Sequence, residues 1–294
     1  MVKQPAWYRA GAVAAAVLLL TGFAPTLMRL AAHALGSELH SHIVLIPFIS
    51  AYLIHIRREE LPANRSSSFG WAFAAIACGI VTLAVATRPG IPIQPLSYND
   101  HLAVMTLAFL CFLVAAGFLL CGRRWMAAAA FPVAFLFFMI PMPEAMEAAL
   151  ETASKLGSAE VTHLLFELFR TPYVRDGLVF QLPGITIEVA QECSGIRSSW
   201  VLLITSLLAS NLFLRTNWRR TVLVLFIIPL GLVRNGFRIL VIALLCVEIG
   251  PEMIHSVVHR RGGPIFFALS LLPLFGLLWW LRAGELKKKA PAGV

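Results

Sequence analysis

Three groups of residues in this chain are equipped for chemistry: Cys193 within Glu192-Cys193-Ser194-Gly195-Ile196-Arg197-Ser198, the arginines of Arg234-Asn235-Gly236-Phe237-Arg238, and the pair His255 and His259. Cys193 stands where two short β-prone runs, Leu178 to Leu182 and Ile185 to Ala190, joined by Pro183-Gly184, run into the apolar stretch Trp200 to Leu214. A helix opening there presents unpaired backbone N–H groups and the positive end of its dipole to the thiol, which favours the nucleophilic thiolate. Its flanks, Glu192, Ser194, Gly195 and Arg197, are polar or small. Cys78, Cys111, Cys121 and Cys246 lie inside aliphatic stretches and read as small apolar fillers.

Arg234 and Arg238 interrupt the apolar run Thr221 to Val247. An arginine in hydrocarbon costs ~2.5 to 3.5 kcal/mol on insertion scales, so two one helical turn apart call for a purpose. The i, i+4 spacing puts both on one helical face, with Asn235 adjacent. Arg234 suits a buried pairing or a snorkelling anchor as well as a site; Arg238, at the level of Cys193, offers a planar cationic fork to an oxyanion or a substrate carbonyl. His255 and His259 have the i, i+4 spacing of metal ligands, but the third ligand of a catalytic zinc site is not evident nearby. The better reading makes one of them the acid and base for the thiol and leaves the other at the interface, with no metal and no cofactor. His33, His40, His42, His55, His101 and His163 read as interface or packing residues.

These groups have to be positioned by membrane helices. At 59% hydrophobic and 13% charged residues, with mean hydropathy +0.81, the 294-residue chain is too poor in charge for a soluble globule, whose charged fraction is about 25%. Eight apolar runs can be drawn: Gly11 to Leu30, His42 to Ile56, Phe69 to Ala86, Leu102 to Leu120, Met126 to Ile140, Ser198 to Leu214, Thr221 to Val247 and Pro264 to Leu281. The second and fifth are short against the ~20 residues of a usual span. The first reads as a span rather than a cleavable signal peptide. The expected fold is an all-α polytopic protein of about eight transmembrane helices, a single integral membrane domain over residues 1–294. Residues 143–193 form an extracytoplasmic insertion in which Glu144 to Arg170 is an amphipathic helix, with Met146, Leu150, Ala153, Leu156, Leu164 and Leu168 near a helical period, followed by a hairpin turning at Pro183-Gly184.

The net charge of +9 follows topology and not nucleic-acid binding. With loops assigned alternately, 14 of the 24 Lys and Arg fall on one side, and only Arg88, Lys155, Arg170, Arg175, Arg260 and Arg261 on the other. The positive-inside rule then makes both termini cytoplasmic and turns Cys193 outward. Five cysteines, four of them in spans, give no disulfide framework. Cys193, Arg238 and His259 all fall at the outer surface, and a cysteine, a histidine and an arginine are the parts needed for acyl transfer through a thioester.

The pattern resembles the exosortase/archaeosortase family of polytopic membrane transpeptidases. The resemblance rests on Glu192 to Ser198, then Asn235-Gly236-Phe237-Arg238, then His259 followed by Gly263, and the Pro141-Met142-Pro143 exit and Leu182-Pro183-Gly184 hairpin also look like the family. It implies Cys193 as nucleophile, Arg238 as catalytic arginine and His259 as catalytic histidine; the neighbouring polar residues Glu192, Ser194, Arg197, Arg234, Asn235 and His255 are supporting candidates. Arg260-Arg261-Gly262 stands where an aliphatic or aromatic run is usual, which keeps His255 an alternative to His259. The resemblance further implies, as substrates, exported proteins with a C-terminal sorting tail (a short Pro-containing motif of PEP-CTERM type, a hydrophobic span and a basic cluster), cut at the outer face of the cytoplasmic (inner) membrane. Membrane lipid and exopolysaccharide machinery are the other implied partners. The rival readings are a non-enzymatic component of polysaccharide export that binds phosphate or lipid headgroups through Arg234 and Arg238, and an ion-coupled transporter, which the absence of an acidic partner at mid-depth disfavours.

Overall fold

The computed structural model describes residues 6–63, 66–87, 96–189, 195–255 and 262–287. The chain divides into two compact units, Met1–Met146 and Glu147–Val294.

In the first unit, α1 (Ala6–Gly22) and α2 (Ala24–Gly36) meet at a 64° bend. Pro25 sits in the first turn of α2, where its missing N–H and fixed φ suit a helix start and not a helix interior. A 3-10 turn (Ser41–Val44) leads into α3 (Ile46–Ile56), again with a proline in its first turn. Two long apolar helices follow, α4 (Phe69–Thr87) and α5 (Tyr98–Leu120), packed so closely that the Phe112 ring lies 3.1 Å from where a Cβ on Gly79 would stand. Ser97 caps α5 by accepting the Asp100 N–H. The unit closes with α6 (Gly122–Ala128), α7 (Ala130–Phe135) and a 3-10 turn at Leu136–Met139. The exit that follows is held by side chains: His40 Nε2 accepts the Met142 N–H at 3.2 Å and Asn99 Nδ2 donates to the Met142 carbonyl at 2.6 Å.

The second unit is built on α8 (Glu144–Leu168), a three-stranded antiparallel sheet, and the helices α9 (Ile196–Phe213), α10 (Asn217–Leu225), α11 (Ile227–Glu248) and α12 (Gly263–Lys287). The sheet runs β1 (Val174–Asp176), β2 (Val179–Leu182), β3 (Ile185–Glu188), with Arg175 opposite Phe180 and Phe180 opposite Ile187. The Pro183-Gly184 turn is where the sequence puts it, with Gly184 at φ +81°. Strand β1 adds to the expected hairpin, and its turn carries Gly177 at φ +58°. Arg175 binds Glu160 of α8 through both terminal nitrogens, at 2.6 and 3.2 Å, and Tyr173 hydrogen-bonds His163, fastening sheet to helix. The apolar stripe expected on α8 is exposed at Met146, Leu150, Leu156, Leu164 and Leu168, where an interfacial helix meets lipid, and the helix buries Ser158, Ala159, Thr162 and Phe166 within the protein.

Among the described residues, five helical segments are long and apolar enough to cross a membrane: α4, α5, α9, the continuous Asn217–Glu248 segment and α12. The number rises to seven if each of two bent pairs counts as one span. Three of the eight sequence runs are not straight spans: Gly11 to Leu30 is divided by the 64° bend between α1 and α2, and two others fall short. His42 to Ile56 yields only the 11-residue α3, about 17 Å of helix, and Met126 to Ile140 breaks into short pieces around Ala129.

Candidate functional site

Three helices of the second unit approach one another through glycine. On α11, a Cβ at Gly231 would stand 2.8 Å from Ser199 Oγ of α9, and a Cβ at Gly236 would stand 2.7 Å from Val161 Cγ1 and 3.2 Å from the Thr162 nitrogen of α8. Backbones this close allow short polar side chains to bond across the interfaces. Asn235 Nδ2 donates to Ser158 Oγ at 2.9 Å, with Asn235 2% and Ser158 0% exposed. Arg234 Nη2 donates to the Gly195 carbonyl at 3.0 Å and to Ser199 Oγ at 3.2 Å. In a dry interior each such group has to find a partner.

Gly195 is the N-cap of α9 at φ +66°, a left-handed conformation that glycine adopts without strain. A Cβ there would also stand 2.9 Å from Arg234 Nη2 and 3.1 Å from Asn235 Oδ1. The Gly195 carbonyl accepts three donors: the Ser199 N–H and Ser198 Oγ, both at 3.0 Å, and Arg234. Arg234 is therefore a positioning residue that clamps the start of α9. Gly195 has no side chain with which to cap the first amides of α9, and the start of a helix carries a positive partial charge.

The register between α9 and α11 locates Arg238. Gly231 lies against Ser199 and Arg234 against Gly195, so the two helices run in opposite directions and Arg238, about 6 Å further along α11, lies beyond the first turn of α9. It is half-buried, and near enough to Arg234 for the two cations to repel, a combination that favours an anion beside them. One turn later the sheet packs on the same helix: Phe180, Leu182, Ile187 and Val189 share a buried cluster with Ile239, Leu240 and Ala243. Val189, in that cluster, and Gly195, bonded to Arg234, are thus tied to segments of α11 that lie on either side of Arg238 in sequence. The first turn of α12 comes to the same level, since the Phe266 and Phe237 rings meet edge to face at 6.2 Å.

Cys193, Glu192, Ser194 and His259 lie outside the described residues. His255 ends a 3-10 turn, Pro251–His255, between α11 and α12, and Arg197 is exposed on the first turn of α9. Among the described residues no group of three or more His, Cys, Asp or Glu side chains is arranged to hold a metal ion. The expected residues Arg234, Asn235 and Arg238 are on one helix by sequence, and the structure joins the first two to α9 and α8. Sequence reasoning missed Ser158, Ser199 and Gly231. The signal available was the small polar set Ser158 and Thr162, one turn apart on a helix whose apolar stripe lies elsewhere.

The family description of the transmembrane exosortases (Exosortase_EpsH) matches residues 30–276 of the chain. No curated protein and no solved structure matches it. The match runs from α2 into α12 and contains the whole glycine-packed interface, and on it the chain belongs to the transmembrane exosortase family.

Proposed function

We propose that the chain is a membrane cysteine protease or transpeptidase that removes the C-terminal sorting tail, of PEP-CTERM type, from exported proteins at the outer face of the cytoplasmic membrane. The positive-inside distribution of Lys and Arg, with the eight apolar runs of the sequence each crossing once, puts both termini in the cytoplasm. The Cys193 thiolate attacks the scissile carbonyl carbon, and the guanidinium of Arg238 stabilises the oxyanion that forms. As the C–N bond breaks, His259 gives its proton to the leaving amine, and a thioester remains on Cys193. Water or an amine acceptor, deprotonated by His259, then attacks the thioester carbonyl and releases the thiolate. Arg234, through Gly195, holds the start of α9 in place for this sequence, and Asn235 holds α8 against α11.

The observation that supports this reading is that the sheet and the start of α9 both pack on α11 around Arg238 in sequence, Gly195 through Arg234 and Val189 through the buried cluster with Ile239 and Leu240. The charge there is cationic, as thiolate and oxyanion chemistry requires. The test is maturation of a tail-bearing exported protein followed on a gel in cells carrying Cys193→Ala or Cys193→Ser. Precursor should accumulate with the membrane protein still inserted, and wild-type processing should be stopped by a thiol alkylator and survive a chelator. Normal maturation in either variant, or the opposite response to alkylator and chelator, removes the nucleophile.

A further inference from the structure

We propose that the end of the second unit opposite the start of α9 binds the phosphate of an anionic phospholipid, on a site built around Arg219. A cavity of about 260 Å³ lies there, lined by Trp218, Arg219, Trp280, Leu281, Ala283 and Gly284. Its separation from Gly195 is the length of α9, 18 residues or about 27 Å, so it is not part of the site described above.

Arg219 is the charged member of the lining and is 8% exposed. Its Nη1 donates to the Leu281 carbonyl at 2.5 Å, its guanidinium lies 5.3 Å from the Trp218 ring, and its Nε has no hydrogen-bond partner among the described residues. The nearby carboxylate is Glu285, close enough to interact with Arg219, but its oxygens accept the backbone N–H groups of Arg215 and Thr216 at 2.8 to 3.2 Å. None of the ion pairs among the described residues includes Arg219. A buried guanidinium held mainly by one carbonyl is short of negative charge. Gly284 leaves the fork open, because a Cβ there would stand 3.1 Å from Nη2 and 3.3 Å from Nη1.

The surroundings select a lipid over a free anion. Apart from Arg219 the lining is apolar or small, and the two indoles at the mouth, Trp218 and Trp280, are 56% and 65% exposed, as side chains at headgroup level are. Arg215, Arg220 and Arg282 belong to the same end, with Arg282 over the Phe213 ring at 5.4 Å. The cavity has room for a phosphodiester with its glycerol, while the acyl chains stay in the bilayer. On the proposed topology this is the cytoplasmic leaflet, where basic pockets between helices take anionic headgroups.

The test is native mass spectrometry of the full-length protein released from nanodiscs of equal phosphatidylglycerol and phosphatidylcholine. Phosphatidylglycerol should be retained about tenfold over phosphatidylcholine, equivalent to ~1.4 kcal/mol. Arg219→Gln should abolish the preference. Should that variant not fold, Gly284→Leu decides, since it fills the cavity and keeps the guanidinium, and it should abolish the preference as well. Equal retention of both lipids by the wild type, an undiminished preference in Gly284→Leu, or displacement of phosphatidylglycerol by an equal concentration of inorganic phosphate overturns the lipid site.

Discussion

The two units place their buried polar side chains differently. In the first, His40 and Asn99 both hold the backbone of one loop residue, Met142, while the long helices α4 and α5 meet through apolar groups and a thiol contact, Cys111 to Cys78 at 3.6 Å. In the second, Asn235, Ser158, Arg234 and Ser199 bond from helix to helix, and glycines bring the backbones together. A loop clamp fixes where the chain leaves a bundle. Polar bonds between helices fix their register, and here the register brings Arg234 to the start of α9, with Arg238 one turn further along α11. The difference teaches that a charged or amide side chain inside this membrane protein is not by itself a sign of chemistry; what distinguishes Arg234 is that the helix packing brings it to the start of α9, with Arg238 on the next turn.

The largest effect should come from Arg238. Arg238→Lys keeps the charge but loses the planar fork, so if the oxyanion is held by two donors it should be nearly as inactive as Arg238→Ala, with processing down by about a hundred- to a thousandfold, or ~2.7 to 4 kcal/mol in the barrier. Single-turnover processing measures this, and full activity in Arg238→Ala breaks the contrast between the units. Next in size is packing. Gly236→Ala should destabilise by ~1 to 3 kcal/mol in a thermal melt, because its methyl meets the stiff Val161 and the α8 backbone, while Gly79→Ala in the first unit should lose less, since the Phe112 ring can tilt away. Equal losses would mean that the glycine interface is no tighter than ordinary helix packing.

The smallest effect concerns the loop clamp. Burial, together with the neighbouring His33 and His42, lowers His40 to about 4. Its Nε2 accepts the Met142 N–H, which requires the neutral ring. A folded value below the unfolded 6.5 gives stability that is present above pH 6.5 and lost as pH falls toward 4. Wild type and His40→Gln should therefore differ most in melting temperature near pH 7 and converge as the pH drops through that window. A constant gap would show that His40 does not act through its neutral form.

Much of the fold was legible because hydropathy is a local property. The long runs at Phe69, Leu102 and Pro264 correspond to α4, α5 and α12, and the alternation before and after Pro183-Gly184 to β2 and β3. The breaks have a local signal as well, since Pro25 and Pro47 each stand in the first turn of a new helix. Strand β1 was announced by Asp176-Gly177, a hairpin turn signal that its short, polar strand obscured. Which face of α8 turns inward was not legible, because in a membrane the apolar side chains are free to stay outside and the small polar ones are drawn to each other. For the same reason Arg234 and Asn235 could be singled out by their cost, but their partners Gly195, Ser199 and Ser158 come from distant segments that only packing brings together.

The central claim, that Cys193 forms a covalent acyl intermediate at the start of α9, is tested most directly by acid-quenching a processing reaction with a tail-bearing substrate and taking the intact mass of the enzyme. The account predicts a hydroxylamine-labile adduct of the substrate acyl fragment on the peptide containing Cys193, absent in Cys193→Ala. Processing that proceeds with no adduct on that peptide, or an adduct that persists in Cys193→Ala, would contradict it.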